Sequence, residues 1–184
     1  MFNENSFDTG ELNTAPPPSI NIRPAQANDV EMILAMHQRL SADSIYKRYH
    51  SPRQPTRGEI EQICALSGKN GRVLAATIPG QTPLVVGMAY YVVTGQDAAE
   101  TAFLVEDNYQ GQGIGKRLVK HLKEQAVAQG IRFFDADVLS SNRPMIHLLR
   151  HAGQLVHNRT DYATSEIQVQ LLPSSRSADE TLHP

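Results

Sequence analysis

With 184 residues, 40% of them hydrophobic, the chain can bury one sizeable core, and a single globular domain is expected. A formal net charge of -2 offers no basic excess for nucleic acid, no apolar run approaches the roughly 18–20 residues that cross a bilayer, and an amino-terminus carrying Glu4 and Asp8 lacks signal-peptide form. The single cysteine, Cys64, rules out an internal disulfide or a cysteine metal cluster, so a soluble protein of the reducing cytoplasm is expected, with Cys64 a packing residue rather than a nucleophile.

Residues 1–18, ending in Ala15-Pro16-Pro17-Pro18, and residues 174–184 are polar and unpatterned, and read as disordered tails around a domain over 19–173. Ile20 and Ile22 alternate as a short strand. Asn28 or Asp29 then caps a helix in which Val30, Ile33, Leu34 and His37 recur at helical spacing. Ser41–Tyr49 reads as a second helix, stopped by Pro52 and Pro55, and Thr56 caps a third that runs through Ala65. Arg72–Ile78 and Leu84–Thr94 have strand composition and are joined by the turn-like Pro79-Gly80-Gln81-Thr82-Pro83. Ala99–Val105 supplies another strand. Ile114, Leu118, Leu122 and Ala126 place an apolar stripe on a long helix that Gly130 ends. Phe134, Ala136 and Val138 alternate with Asp135 and Asp137 as a strand, Asn142–His151 forms a helix closed by Gly153, and Leu155–Val156 with Ile167–Leu172 suggests a last antiparallel hairpin divided by polar Asn158–Ser165. The sum is an α/β chain, a mixed sheet flanked by helices.

Gln110-Gly111-Gln112-Gly113-Ile114-Gly115 lies between a strand and a helix. Alternate glycines let the backbone approach a ligand, and the free N–H groups of the new helix, aided by its dipole, favour an anion in front of them. A Walker loop is excluded because Gln110 stands where its first Gly belongs and Arg117 where its hydroxyl belongs. A dinucleotide turn is disfavoured because Lys116 replaces its third Gly.

What fits is Gln110-x-x-Gly113-x-Gly115, which resembles the coenzyme A pyrophosphate loop of the GNAT superfamily of N-acetyltransferases. Ala99–Val105 resembles the fourth strand of that superfamily, and Ser140–Gly153 its next motif, in which an Asn, here Asn142, opens a helix beside the pantetheine arm. Leu40-Ser41-Ala42-Asp43-Ser44-Ile45-Tyr46-Lys47-Arg48-Tyr49 and Asn142-Arg143-x-Met145 are similar to segments of the bacterial protein-lysine acetyltransferase (Pat-like) branch. The resemblance covers residues 20–172. It implies a mostly antiparallel sheet of about six to seven strands, acetyl-CoA as acyl-CoA co-substrate without a metal, and N–H groups from Gln110 through Lys116 (Gly111, Gln112, Gly113, Ile114 and Gly115 between them) holding pyrophosphate, with Lys116 and Arg117 adding positive field. It also implies that the strand splays near Leu104 and Val105, freeing backbone groups for pantetheine and the thioester oxygen.

Acetyl transfer to an amine requires a lysine-like group of pKa near 10.4 to lose a proton and charge on the thioester oxygen to be stabilised. Glu100, on the strand leading to the loop, matches the position at which several members of the superfamily place a catalytic glutamate. Asp135 and Asp137 are lesser carboxylates. Leu149 stands where many members carry a Tyr as general acid. That absence is tolerable, since expelling a thiol of pKa near 8.5 as thiolate costs roughly 2 kcal/mol at neutral pH. Gln154 replaces a usual aromatic. His147 and His151 share a helix face but lack the partners of a zinc motif, and read as an exposed face, as do Lys120 and Lys123. Tyr46 and Arg48 are candidates for the acceptor groove. The expected activity is transfer of acetyl to a primary amine, preferably a protein lysine, by direct attack, in a monomer or homodimer that binds neither nucleic acid nor membrane. A small-amine acetyltransferase and a non-catalytic acyl-CoA sensor are the alternatives.

Overall fold

The computed structural model describes residues 19–66 and 70–172. The expected terminal tails lie outside the described residues. Seven strands form one sheet in the order β1-β2-β3-β4-β5-β7-β6. They are β1 (Asn21–Pro24), β2 (Gly71–Ile78), β3 (Leu84–Val93), β4 (Ala98–Val105), β5 (Phe133–Leu139), β6 (Gly153–Asp161) and β7 (Thr164–Leu171). All neighbours run antiparallel except β4 and β5, which are parallel and therefore need a crossover between them, supplied by α4 (Ile114–Ala128). The mixed, mostly antiparallel sheet expected from the sequence is the one observed.

One sheet face carries α1 (Val30–Gln38), α2 (Ala42–Tyr49) and α3 (Arg57–Cys64), whose Ile33, Met36, Ile45 and Ile60 bury against Val73, Val85 and Leu104. The other face carries α4 and α5 (Arg143–Leu149), with Leu118, Leu122 and Leu149 against Phe103, Phe134 and Val169. Each such aliphatic side chain contributes about 1.5–3 kcal/mol on burial. Sandwiched between both layers, β2 and β3 are buried nearly end to end, which is why their sequences read as continuous apolar runs. The Ile114, Leu118, Leu122, Ala126 stripe is wholly buried, as its spacing requires.

The helix starts are locally encoded. Thr56 Oγ accepts from Glu59 N–H at 3.3 Å while the Glu59 carboxylate accepts from Thr56 N–H at 2.7 Å, a reciprocal cap for α3. Asp29 precedes α1 but does not cap it through its side chain. Its carboxylate, fully buried, takes a forked pair of bonds from Arg23 at 2.6 and 2.7 Å and the Gln26 N–H at 2.7 Å, and the Arg23 guanidinium holds its pKa down.

The carboxy-terminal hairpin is longer than its sequence suggests. The Asn158–Ser165 segment, expected to be a loop, pairs instead, with Asn158 opposite Ile167 and Asp161 opposite Thr164. β6 is the outer strand and is exposed along most of its length, so polar residues there carry no desolvation cost. The reversal rests on Tyr162, in a left-handed conformation at φ 51°, and Ala163, with no Asn or Gly to announce it. No helix among the described residues is long and apolar enough to cross a membrane.

Candidate active site

The sheet is split beside the glycine loop. β4 and β5 pair only where Ala98, Ala99 and Glu100 face Phe133, Phe134 and Asp135, and beyond that rung the strands part. Glu106 N–H donates to Val86 O at 2.9 Å, which sets the antiparallel alternation along β4. Leu104, opposite Met88, therefore turns its N–H and C=O towards β3, whereas those of Phe103 and Val105 turn towards the gap. Of the two residues expected to free backbone groups, Val105 is placed to do so and Leu104 is not. Leu104 contributes its buried side chain to the core under α1–α3.

The Gln110–Lys116 loop follows. Gly111 and Gly113 hold φ of 74° and 79°, left-handed conformations that disfavour other residues, and a Cβ at either would point into open space. Gly113 caps α4, a helix long enough for its dipole to matter, so the space in front is a donor-lined cradle suited to pyrophosphate. Gln110 acts through its side chain, donating to Val105 O at 2.9 Å and tying the loop to the strand it leaves. Gln112 similarly donates to Asn108 O at 3.0 Å. Ile114 is core. Gly115 has a different reason to lack a side chain, because a Cβ there would stand 3.3 Å from Leu148, so it admits α5 against α4. Lys116 stays exposed at the cradle, but Arg117 donates to Ile20 O at 2.7 Å and serves β1.

A cavity of about 430 Å³ joins the loop to the gap. Its walls include Gln110, Gly111, Gly113–Lys116 and α5 residues on one sheet face, the parted ends of β4 and β5 in the middle, and Ser44 and Arg48 of α2 on the other face. The cavity thus crosses the sheet. Asn142, buried at 7% exposure, lines it and caps α5, its Oδ1 accepting from Met145 N–H at 3.3 Å. Leu149 also lines it while packing in the core, and brings no hydroxyl. His147 and His151, read from sequence as an exposed face, both border the cavity beside Lys116.

Glu100 is exposed and stands outside the cavity wall, on the α2 face of β4 at the last rung before the split. Strand alternation puts Asp135 beside it and Asp137 two residues further along β5, opposite Glu166 of β7. Asp135 accepts from Gln168 at 2.9 Å, and Asp137 also borders the cavity. The result is a row of carboxylates on a sheet face that α1–α3 leave open. Among the described residues no cluster of three His, Cys, Asp or Glu side chains forms a metal site. Burial pushes the Cys64 thiol up to about 11, consistent with packing rather than nucleophilic use.

α2 is fixed by two networks that the sequence did not reveal. Asp107, just past β4, accepts from Ser41 N–H, Ser41 Oγ and Ser44 Oγ at 3.0, 2.7 and 2.8 Å, and Ser44 also borders the cavity. On the far side, His37 Nδ1 donates to Ile33 O at 2.8 Å, so its Nε2 accepts the Tyr49 hydroxyl at 2.7 Å. The Arg48 guanidinium lies 4.9 Å from the Tyr49 ring centre and donates to the Tyr90 hydroxyl. Arg48 is thereby held at the cavity mouth, while Tyr46 points outward at 49% exposure.

A split mixed sheet with a glycine loop opening the crossover helix defines an acetyltransferase-type α/β domain. The chain belongs to the GNAT acetyltransferase family, whose family model matches residues 39–153. It is 33% identical over 154 residues to Acetyltransferase Pat from Mycolicibacterium smegmatis, covering 83% of this chain and 46% of that protein, so it spans under half the length of that relative. Its fold is similar to the GNAT domain of S. lividans PAT, with a TM-score of 0.71 and 28% identity over 82% of this chain and 89% of that one. It is also similar in fold to yncA of Salmonella typhimurium, solved with acetyl-CoA as its cofactor, with a TM-score of 0.67 and 18% identity over 87% and 98% of the two chains.

Proposed function

We propose that this protein transfers acetyl from acetyl-CoA to a primary amine, preferably a protein lysine, in a ternary complex with Glu100 as general base. The observation that carries the reading is the cavity crossing the sheet. It leads from the anion cradle at α4, through the gap faced by Val105, to the open face on which Glu100, Asp135 and Asp137 stand. Acetyl-CoA supplies an acyl group already activated as a thioester. The chain does the rest. Gly111–Lys116 and the α4 amino-terminus fix the pyrophosphate, Asn142 lines the wall where the pantetheine passes, and the Val105 N–H stabilises the oxygen on which charge develops. Glu100, directly or through water, takes the proton that an amine of pKa near 10.4 must lose.

An open carboxylate-bearing face favours a cationic side chain presented by a large partner over a small amine enclosed on all sides. A cytoplasmic location, where acetyl-CoA meets such partners, belongs to the same proposal. The test is thiol release from acetyl-CoA with a panel of lysine-bearing proteins and small amines. Release with proteins alone supports the reading, release with small amines alone replaces its acceptor, and ligand-induced thermal stabilisation without release for any acceptor points to a sensor.

A further inference from the structure

We propose that His147 and His151 form a second phosphate subsite that takes the 3′-phosphate of coenzyme A, separate from the pyrophosphate cradle. The inference rests on the coenzyme A reading above. That ligand carries a 3′-phosphate on its ribose besides its pyrophosphate, and the Gly111–Lys116 loop accounts only for the pyrophosphate. α5 packs on the start of α4 through Leu148 against Gly115, which brings the exposed residues of this stretch to the rim of the cradle. His147 precedes Leu148 and His151 lies one turn beyond. Their rings meet edge to face with centroids 5.1 Å apart, and both border the same cavity as the loop.

The surrounding charge is positive. Desolvation holds His151 towards its neutral form, and the charge of Lys116, on the α4 side, acts in the same direction, as does His147. Arg117, next on α4, is turned away to Ile20. Arg143 opens α5 and Arg150 follows its end, both outside the cavity wall. Among the described residues no carboxylate pairs with either imidazole, the histidine ion pair there being His121 with Glu124. Asp137, the cavity's carboxylate, belongs to β5 rather than to the α4–α5 rim. Two imidazoles and an ammonium around one space, without a counter-charge, make a site for a phosphate. Such a phosphate favours the protonated His151 ring, so its binding strengthens as pH falls from 8.0 to 6.5.

Calorimetric titration of the full chain with coenzyme A and with 3′-dephospho-coenzyme A, at pH 6.5 and 8.0, tests this without reference to any acceptor. The wild-type protein should prefer coenzyme A by about tenfold at pH 6.5, the scale of one or two charge-assisted hydrogen bonds, and by less at pH 8.0. The H147Q/H151Q variant changes two exposed positions. It should lose most of that preference while binding 3′-dephospho-coenzyme A as before. A preference retained in the variant, or equal weakening for both ligands, overturns the subsite while leaving the acetyltransferase reading intact. Failure of the wild-type protein to bind either ligand overturns both.

Discussion

Arg39, immediately after α1, reaches the carboxylate of Glu106 with its Nε at 3.0 Å and its Nη2 at 2.8 Å, and the same Nη2 donates to Val85 O at 2.8 Å. Glu106 is 2% exposed and is the residue at which β4 gives way to the segment leading into the glycine loop. The next residue, Asp107, gathers Ser41 and Ser44. Two successive carboxylates therefore bind the α1–α3 layer to the origin of the glycine loop. Glu106→Gln keeps the shape but removes the charge from a buried acceptor opposite a guanidinium that is one-third solvated. A loss of about 1–3 kcal/mol follows. Urea unfolding reads it as a lowered midpoint at unchanged slope, and an unmoved midpoint would show that the pair does not support the fold.

Glu100→Gln separates chemistry from binding. The side chain lies outside the cavity wall and makes no hydrogen bond or ion pair among the described residues, so neither stability nor coenzyme A affinity depends on it. Turnover should fall by about 10²–10⁴-fold, the range associated with a lost general base, with the dissociation constant for coenzyme A within about twofold of wild type by the absence of contact. Unchanged turnover would remove Glu100 from the mechanism and turn attention to Asp137.

The two glycines of the loop should respond differently. At Gly113 any side chain meets a left-handed φ of 79° and points into the open space at the start of α4, so on the proposed reading Gly113→Val should weaken coenzyme A binding by more than about tenfold through strain and lost approach. Gly115→Ala instead presses on Leu148 at 3.3 Å, a flexible side chain that can yield, and the helix propensity gained within α4 offsets the crowding, so stability should stay within about 1 kcal/mol of wild type. Binding titrations and thermal melts distinguish them. Normal affinity in Gly113→Val would dismiss the cradle.

Much of this was legible because local chemistry and global packing agree. The α4 stripe, the Thr56 cap and the glycine loop each state in a few residues what the fold then does. What was hidden depends on partners distant in sequence. That Leu104 turns inward and Val105 outward follows from a register fixed by β3, and one residue's shift would exchange them. Gly115 reads as a ligand glycine until α5 arrives against it. Arg117 reads as a phosphate contact until Ile20, 97 residues away in the chain, offers its carbonyl. β6 was truncated because an exposed edge strand carries polar residues that a sequence reader assigns to a loop. His147 and His151 share a helix face in the sequence, but only the cavity gives that face a place.

His37 supplies a prediction in pH. Its ring is buried at 1% exposure, and desolvation is the main cause that lowers its pKa from the ordinary value of 6.5. The folded state thus resists protonation where the unfolded chain accepts it. The stability that the neutral ring contributes is present above pH 6.5 and is lost as pH falls below that value towards the depressed folded pKa. The carboxylates held low, Asp29, Glu59 and Asp107, release their contributions only in the acid range, so the interval from pH 7.5 to 5.5 isolates the histidine. His151 is lowered as well, but it is exposed at the rim. Wild-type stability in urea should therefore decline across that interval. In His37→Gln, which keeps a polar group near Ile33 O and Tyr49, the decline should largely disappear, at a fixed loss of about 1–3 kcal/mol from imperfect hydrogen bonding. A variant that declines as steeply as wild type would place the pH response elsewhere and leave His37 a spacer between α1 and the tyrosine that holds Arg48.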